Sequence, residues 1–242
     1  MSIGEKLTTI AENEQKVFDA GKQAEYDAFW NTVQLNGNRT SYLYGFAGST
    51  WKEANFKPKY DMYVTNANYM FAYSAIKGDL VEYLEELGIV LDFSKNGGYN
   101  NTFQQTDFTR IGVVEFAINP TSPLTGTFMN SELLETIELL KIADSGQQTF
   151  GSTFNGCTAL KHIKVTGKIG TAFDIHYSPL DKESILSIAN AVLDKAFTIK
   201  FNLDAVNKAF ETSEGANDGS TSTEWTNLWI DKPKVSISLQ NV

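Results

Sequence analysis

Apolar residues recur along the middle of the chain in the order apolar-x-x-apolar-x-apolar. Four segments have this form: LEELGI, FTRIGV, LETIEL and LKHIKV. Their first residues, Leu84, Phe108, Leu134 and Leu160, stand 24, 26 and 26 positions apart. A short apolar run that alternates with polar residues is typical of a strand. The pattern therefore predicts strands at 84–89, 108–113, 134–139 and 160–165.

A phenylalanine precedes the later strands with nearly the same spacing. Phe103, Phe128 and Phe154 are 25 and 26 positions apart, and Phe71 is an earlier member of the series. Three positions after each phenylalanine comes a small side chain, in the order Ser74, Thr106, Ser131 and Cys157. We expect the core of the repeat to be formed by Phe71, Phe103, Phe128, Phe154 and Cys157.

A period of this length with this strand form is the signature of a leucine-rich-repeat solenoid. One repeat cannot bury its own apolar face, so stacked repeats bury their faces in a continuous core. The predicted fold class is therefore α/β, a leucine-rich-repeat-like solenoid over residues 66–180. Two further parts complete it: an N-terminal helical stem at 1–34 and an α/β C-terminal cap at 181–242.

The stem is predicted from a heptad pattern. Residues 1–34 contain no proline, and apolar side chains recur there at positions that would form one seam; the assembly residues on this seam are Ile3, Leu7, Ile10, Val17 and Ala24. Glu14 and Gly21 interrupt the second core position of the heptad. Two interpretations stay open: an amphipathic helix that lies on its own domain, or a short parallel coiled coil that gathers two or three chains.

Two segments flank the repeats. Residues 35–65 mix glycine, asparagine and proline with tyrosine, phenylalanine and tryptophan, which predicts a connecting or capping segment of loops and short strands. Residues 181–242 predict helix, strand, helix and strand in turn. The first helix has Ile185, Ile188 and Val192 on one side, and Asp181 or Ser184 at its start. FTIKFNL and VSISL are the predicted strands.

Composition narrows the possible partners. The net charge is −9, and no stripe of basic residues with interleaved aromatics is present, so we expect no binding to nucleic acid. No apolar run approaches the length of a transmembrane helix, so we expect no membrane insertion. The charged N-terminus lacks a secretory h-region, which predicts a protein made in the cytoplasm and not exported by a signal peptide.

Residues that could carry chemistry are few. A single cysteine excludes an intramolecular disulfide, and Cys157 is expected in the core, whereas a reactive thiol needs exposure. Asp174 and His176, with Asp181 nearby, are the one grouping that could indicate a metal or a general base, but no further ligand stands at the required spacing. His162 is expected on a solvated strand face. We therefore expect no enzyme activity, no cofactor and no metal site.

The run F-x-x-C-x-x-L-x-x-I-x-V at 154–165, followed by IGTAF, resembles the BspA-type leucine-rich repeat of bacterial surface proteins. The earlier repeats lack the cysteine and the glycine before it and are degenerate copies. Three other stretches resemble structural proteins encoded by phages and prophages of gut Gram-positive bacteria: GEKLTTIAENEQKVFDAG, NGNRTSYLYGFAGSTWKEANFKPKYD, and LDKESILSIANAV with FNLDAVNKAF.

This resemblance implies a virion structural protein, located in the virion as a tail, baseplate or fibre component. In this hypothesis the stem joins an assembly and the solenoid contacts a neighbouring protein or a host surface receptor. The partners would be other virion proteins and the chain itself, as a trimer. The alternative hypothesis is a cytoplasmic or cell-associated leucine-rich-repeat protein-binding module.

Overall fold

The computed structural model describes residues 62–63, 67–73, 77–87, 91–92, 100–115, 124–211 and 222–242. The predicted stem at 1–34, with Ile3, Leu7, Ile10, Val17 and Ala24, lies outside the described residues, as does nearly all of the 35–65 segment. The described residues form a mixed α/β fold in which all the paired strands are parallel.

The described elements, in chain order, are β1 (Met62–Tyr63), β2 (Lys77–Asp79), α1 (Leu80–Leu87), β3 (Leu91–Asp92), β4 (Asp107–Glu115), β5 (Thr136–Lys141), β6 (His162–Thr166), β7 (Phe173–Asp174), α2 (Lys182–Ala191), β8 (Phe197–Asn202), α3 (Leu203–Ala209), α4 (Thr223–Asn227) and β9 (Val235–Gln240). They are arranged in a four-stranded sheet, β2-β4-β5-β6, a three-stranded sheet, β7-β8-β9, and the pair β1-β3. Within the described residues, no helix has the length and hydropathy needed to span a membrane.

Strands β4, β5 and β6 of the four-stranded sheet repeat at the interval predicted from the sequence, whereas β2 is 30 or 31 positions before β4. Arg110 of β4 lies beside Thr136 of β5, and Thr136 lies beside His162 of β6, which is 26 positions at each step. β4 contains the predicted strand 108–113. β5 and β6 begin two residues later than predicted, because the N–H groups of Leu134 and Leu160 close turns onto the carbonyls of Ser131 and Cys157.

The prediction of a strand at 84–89 is wrong. Residues up to Leu87 belong to helix α1, and the strand of this repeat is β2, which pairs with β4. The side chain of Asp79 accepts hydrogen bonds from the N–H groups of Val81 (2.7 Å) and Glu82 (3.3 Å), which starts the helix. Apolar residues three positions apart also lie on one face of a helix. In α1, the buried residues Leu80 and Tyr83 form such a face.

Before each of β2, β4, β5 and β6 the chain makes a turn, and the four turns stack into what we call the turn ladder: residues 69–73, 101–105, 126–130 and 152–156. Its rungs are backbone hydrogen bonds from Phe71 to Thr102 (2.8 Å), from Phe103 to Thr127 (2.7 Å) and from Phe128 to Thr153 (3.0 Å). Each donor is an N–H group and each acceptor is the carbonyl of the next turn. Repeats are thus joined by hydrogen bonds along the turns as well as along the strands.

The threonine before each of three phenylalanines is fully buried and bonded. Thr102 donates its hydroxyl to the carbonyl of Ala67 (2.7 Å), while Thr127 and Thr153 both donate to the carbonyl of Leu124 (2.9 and 2.7 Å). A buried hydroxyl must find a partner, and these carbonyls supply one. In each recurring Thr-Phe pair, the threonine hydroxyl therefore binds a backbone carbonyl and the phenylalanine ring packs in the core.

The C-terminal region has helix α2, strand β8, helices α3 and α4, and strand β9, which follows the predicted order of helix, strand, helix and strand with two helices in the third place. Asp181 is the N-cap of α2, and Ser184 instead lies inside the helix. The hydroxyls of Ser184 and Ser187 accept hydrogen bonds from the N–H groups of Ile163 (2.8 Å) and Val165 (2.7 Å) of β6. Helix α2 therefore covers the edge of β6, which would otherwise be open to pairing with another strand.

A single apolar cluster runs through the described part of the fold, from Ala67 to Trp225. Phe173 of β7 lies beside Ile199 of β8, again 26 positions apart, and both are fully buried. An aromatic group closes the C-terminal end, formed by Phe201, Phe210, Trp225 and Trp229.

Candidate functional site

The four phenylalanines assigned to the repeat core form one column. Phe71, Phe103, Phe128 and Phe154 stack with their ring centroids 5.3, 5.5 and 5.5 Å apart, and all four are buried. The angles between neighbouring ring planes are 18° or less, so the four rings are nearly parallel to their neighbours. This column positions the turns and offers no group to a ligand.

Cys157 lies in the same core. Its Sγ donates a hydrogen bond to the carbonyl oxygen of Phe128 at 3.0 Å, and its side chain is fully buried. Burial raises the pKa of the thiol to about 12, so the thiolate is scarce at neutral pH. Ser131, one repeat earlier, donates its hydroxyl to the carbonyl of Phe103 at 2.6 Å. Both side chains act as small donors that tie one turn to the previous one.

Charged side chains lie on the surface of the four-stranded sheet. Arg110 of β4 contacts Asp79 of β2 on one side (2.5 Å) and Glu138 of β5 on the other. Burial by itself would raise the pKa of Asp79, but hydrogen bonds from Arg110 and from two backbone N–H groups hold that pKa below its ordinary value. The hydrogen bonds that Arg110 donates to Asp79 and Glu138 raise the pKa of Arg110. This network links three neighbouring strands, and sequence spacing alone did not reveal it, because it depends on the register between strands.

The grouping of Asp174, His176 and Asp181 suggested by the sequence is divided in the structure. Asp181 contacts His162, with 2.9 Å between its Oδ2 and the ring Nδ1. His176 contacts Asp174 at 2.5 Å, and the second oxygen of Asp174 accepts a hydrogen bond from Lys200 at 2.9 Å. In the described part of the chain no three His, Cys, Asp or Glu side chains form a group that could bind a metal ion.

Both aspartates keep their negative charge to low pH. Burial raises the pKa of each, but hydrogen bonds outweigh it and leave both pKa values lowered. For Asp181 the donors are Ser184 and His162, and for Asp174 they are His176 and Lys200. Each pair joins neighbouring elements: His162 of β6 to the start of α2, and β7 to β8. The pairs account for the two histidines as structural partners.

The outer surface of the turn ladder, which we call the turn face, has a different chemistry. The segments 67–73, 100–106, 124–131 and 149–157 contain no charged residue, although 20% of the whole chain is charged. The exposed residues of the turn face are Tyr69, Tyr73, Gln105, Thr125, Asn130, Thr149, Gly151, Ser152 and Asn155. It therefore presents amides, hydroxyls and two phenol rings, without an ion pair among them.

Two positions in each turn have left-handed backbone. The first is occupied by Tyr69, Asn101, Gly126 and Ser152 in successive turns, and the second by Tyr73, Gln105, Asn130 and Gly156. Glycine and asparagine adopt this conformation most readily, whereas for a bulky residue it is an outlier that costs on the order of 1 kcal/mol. Only the first described turn places tyrosine at both positions.

Both tyrosines are exposed, Tyr69 to 40% and Tyr73 to 54%. Neither ring forms an aromatic pair, and neither hydroxyl forms a hydrogen bond, with any described residue. No contact with a described residue therefore compensates for the backbone strain at Tyr69 and Tyr73. Sequence reasoning missed these residues because left-handed backbone becomes visible only when the turns are aligned in space.

Two clefts lie near the C-terminal end of the described fold. One, of about 330 Å³, continues from the fourth turn and is lined by Thr149, Ser152, Thr171 and Thr198 together with the Asp174–Lys200 pair. The other, of about 570 Å³, lies between the start of α2 and α3, with Leu180 and Ala205 among its apolar lining. Only the first adjoins the turn face.

The turn face, its tyrosines and the adjoining cleft are the candidate site for contact with another molecule. Comparison of the chain with protein-family models, with curated proteins and with solved structures found no match.

Proposed function

We propose that this chain is a non-enzymatic structural protein of a phage virion, in which a leucine-rich-repeat-like solenoid forms a rigid contact surface. The observation that supports the contact role is the regular stack of repeats. From β4 and Phe103 onward, the strand register and the phenylalanine rings advance by 25 or 26 positions, and the turns add a second line of hydrogen bonds.

Such a stack favours a binding role. Each repeat contacts only its neighbours, so the outer side chains are held at regular intervals on a firm backbone. Surfaces of this kind bind extended partners without a deep pocket. The charged sheet surface around Arg110 and the uncharged turn face offer two different chemistries for such partners.

The assignment to a virion rests on the resemblance of the flanking segments to phage and prophage structural proteins. Under this proposal the heptad segment at 1–34 joins the chain to an assembly, as a trimer with its own copies or with helices of another virion protein. The solenoid then contacts a neighbouring protein or a host surface receptor. The tail, the baseplate or a fibre is its place in the particle.

Purified particles test the proposal. Particles released by the encoding strain would be separated on a density gradient, and the chain quantified in each fraction by mass spectrometry. We expect the chain to follow the major tail protein at a constant ratio, while an abundant cytoplasmic enzyme does not. A chain found only in the soluble cytoplasmic fraction would refute virion membership and favour the alternative, a leucine-rich-repeat binding module.

Light scattering tests the role of the stem. The molecular mass of the full chain would be compared with that of a chain that starts at Leu35. We expect the full chain to be oligomeric and the shortened chain monomeric. Glu14→Leu should tighten the oligomer, because a carboxylate in a self-associating seam costs desolvation energy. A monomeric full chain at high concentration would exclude self-association through the heptads.

A further inference from the structure

The two tyrosines of the first described turn occupy positions that the backbone does not favour. Later turns place Asn101, Gly126 and Ser152 at the equivalent of Tyr69, and Gln105, Asn130 and Gly156 at the equivalent of Tyr73. The fold therefore accepts small or amide side chains there. Both rings are exposed and form no aromatic pair with a described residue, so they are available to a molecule outside the described part of the fold.

The composition of the turn face defines the chemistry of that molecule. No charged residue occurs in the four turn segments, whereas charged side chains are frequent on the neighbouring sheet surface, as in the Asp79–Arg110–Glu138 network. The Asp174–Lys200 pair at the end of the face is mutually neutralised at 2.9 Å. Such a surface suits a ligand that is itself uncharged and rich in hydrogen-bonding groups.

The geometry of the turn face suits an extended ligand. The stacked phenylalanine rings of successive turns are 5.3 to 5.5 Å apart, so the turns present their outer side chains at short and regular intervals. Tyrosine rings offer an apolar face with a polar tip, and this combination suits the C–H face and the hydroxyls of a sugar. At the opposite end, the 330 Å³ cleft adds hydroxyls from Ser152 and three threonines.

We infer that the turn face binds a neutral glycan, with Tyr69 and Tyr73 stacking on sugar rings and the cleft beside Ser152 receiving a further unit. The inference rests on the contact role in the proposed function and names the partner of one surface. A protein partner is disfavoured, because the centre of a protein interface is usually apolar, whereas most exposed side chains here are amides and hydroxyls.

Affinity electrophoresis of the full chain provides the test. Native gels would contain dextran, mannan, galactan or a soluble β-glucan, with anionic alginate as the reference polymer. We expect at least one neutral polysaccharide to retard the chain, and alginate not to. Tyr73→Asn and Tyr69→Asn, which install residues that other turns use at these positions, should each weaken binding about tenfold or more.

The same variants separate binding from folding. Asparagine tolerates left-handed backbone better than tyrosine, so both variants should unfold at the same or a higher temperature than the natural chain. Lys164→Ala, an exposed change on β6 and away from the turns, should leave binding unchanged. Variants that bind as before would show that the tyrosines are not the anchors and would overturn the inference.

Two other outcomes also overturn it. One is a chain that none of the neutral polysaccharides retards, or that alginate alone retards. The other is a chain that binds no polysaccharide but loses its place in purified particles on the Tyr73→Asn change. In that case the turn face contacts a protein, and virion membership stands although the glycan inference fails.

Discussion

The Sγ of Cys157 donates a hydrogen bond to the carbonyl oxygen of Phe128, 29 positions earlier, at 3.0 Å. Ser131 makes the equivalent bond to Phe103, which shows that the position needs a small donor and not a thiol. We expect Cys157→Ser to be less destabilising than Cys157→Val by about 1 kcal/mol, since valine removes the donor. Urea unfolding of both variants measures the difference, and a more stable valine variant would contradict this role.

The reactivity of Cys157 should depend on unfolding. Its burial and raised pKa predict very slow reaction with a thiol reagent at pH 7 in the native chain and rapid reaction in denaturant. The measurement is the labelling rate with and without urea. Fast labelling of the native chain would mean that the thiol is exposed and would reopen its assignment as a core residue.

Phe128 is in the middle of the phenylalanine column, 5.5 Å from both Phe103 and Phe154. Phe128→Ala should lower the free energy of unfolding by about 3 to 5 kcal/mol, because it leaves a cavity between two fixed rings. Phe197→Ala, at a half-buried strand residue, is the matched control and should cost less. Equal losses at the two sites would contradict the importance of the column.

Gly167 has a left-handed backbone (φ +94°), and a Cβ built on it would lie 1.9 Å from the carbonyl oxygen of Ile142. Gly78 is also left-handed (φ +83°), but a Cβ there meets nothing within 4 Å. Gly78→Ala should therefore cost about 1 kcal/mol from backbone strain alone. Gly167→Ala should cost more than about 2 kcal/mol, since backbone must also move. Chemical denaturation of the two variants compares these costs directly.

Acid should destabilise the fold in part through Asp181. Its pKa is lowered in the folded chain, so its contribution is present above the unfolded pKa of 3.8 and is lost as the pH falls through the folded value. Asp181→Asn keeps a good helix cap but removes this proton linkage. The stability difference between pH 7 and pH 3 should shrink in the variant by about 1 kcal/mol or less, since the carboxylate is partly exposed. A variant with an unchanged acid response would show that Asp181 does not contribute.

The repeat spacing could be predicted from the sequence because each repeat must bury the same kinds of side chain at the same positions. Every strand must bury its alternate apolar residues, and each turn must supply one ring to the core, so Phe103, Phe128 and Phe154 recur at the interval of the sheet register. The LEELGI segment shows the limit of this reasoning. Its apolar spacing suits a strand or a helix, and the cap that Asp79 provides decides for the helix.

The sequence by itself determined the period, the ring column, the buried small residues and the order of elements after Asp181, since each follows from local pattern and burial. Only the tertiary structure decided which side chains meet across repeats. Asp181 pairs with His162 and not with His176, and Arg110 connects Asp79 to Glu138, because strand register and helix position set these distances. The left-handed backbone of Tyr69 and Tyr73 belongs to this second group, since a turn's dihedral angles are imposed by the turns stacked against it.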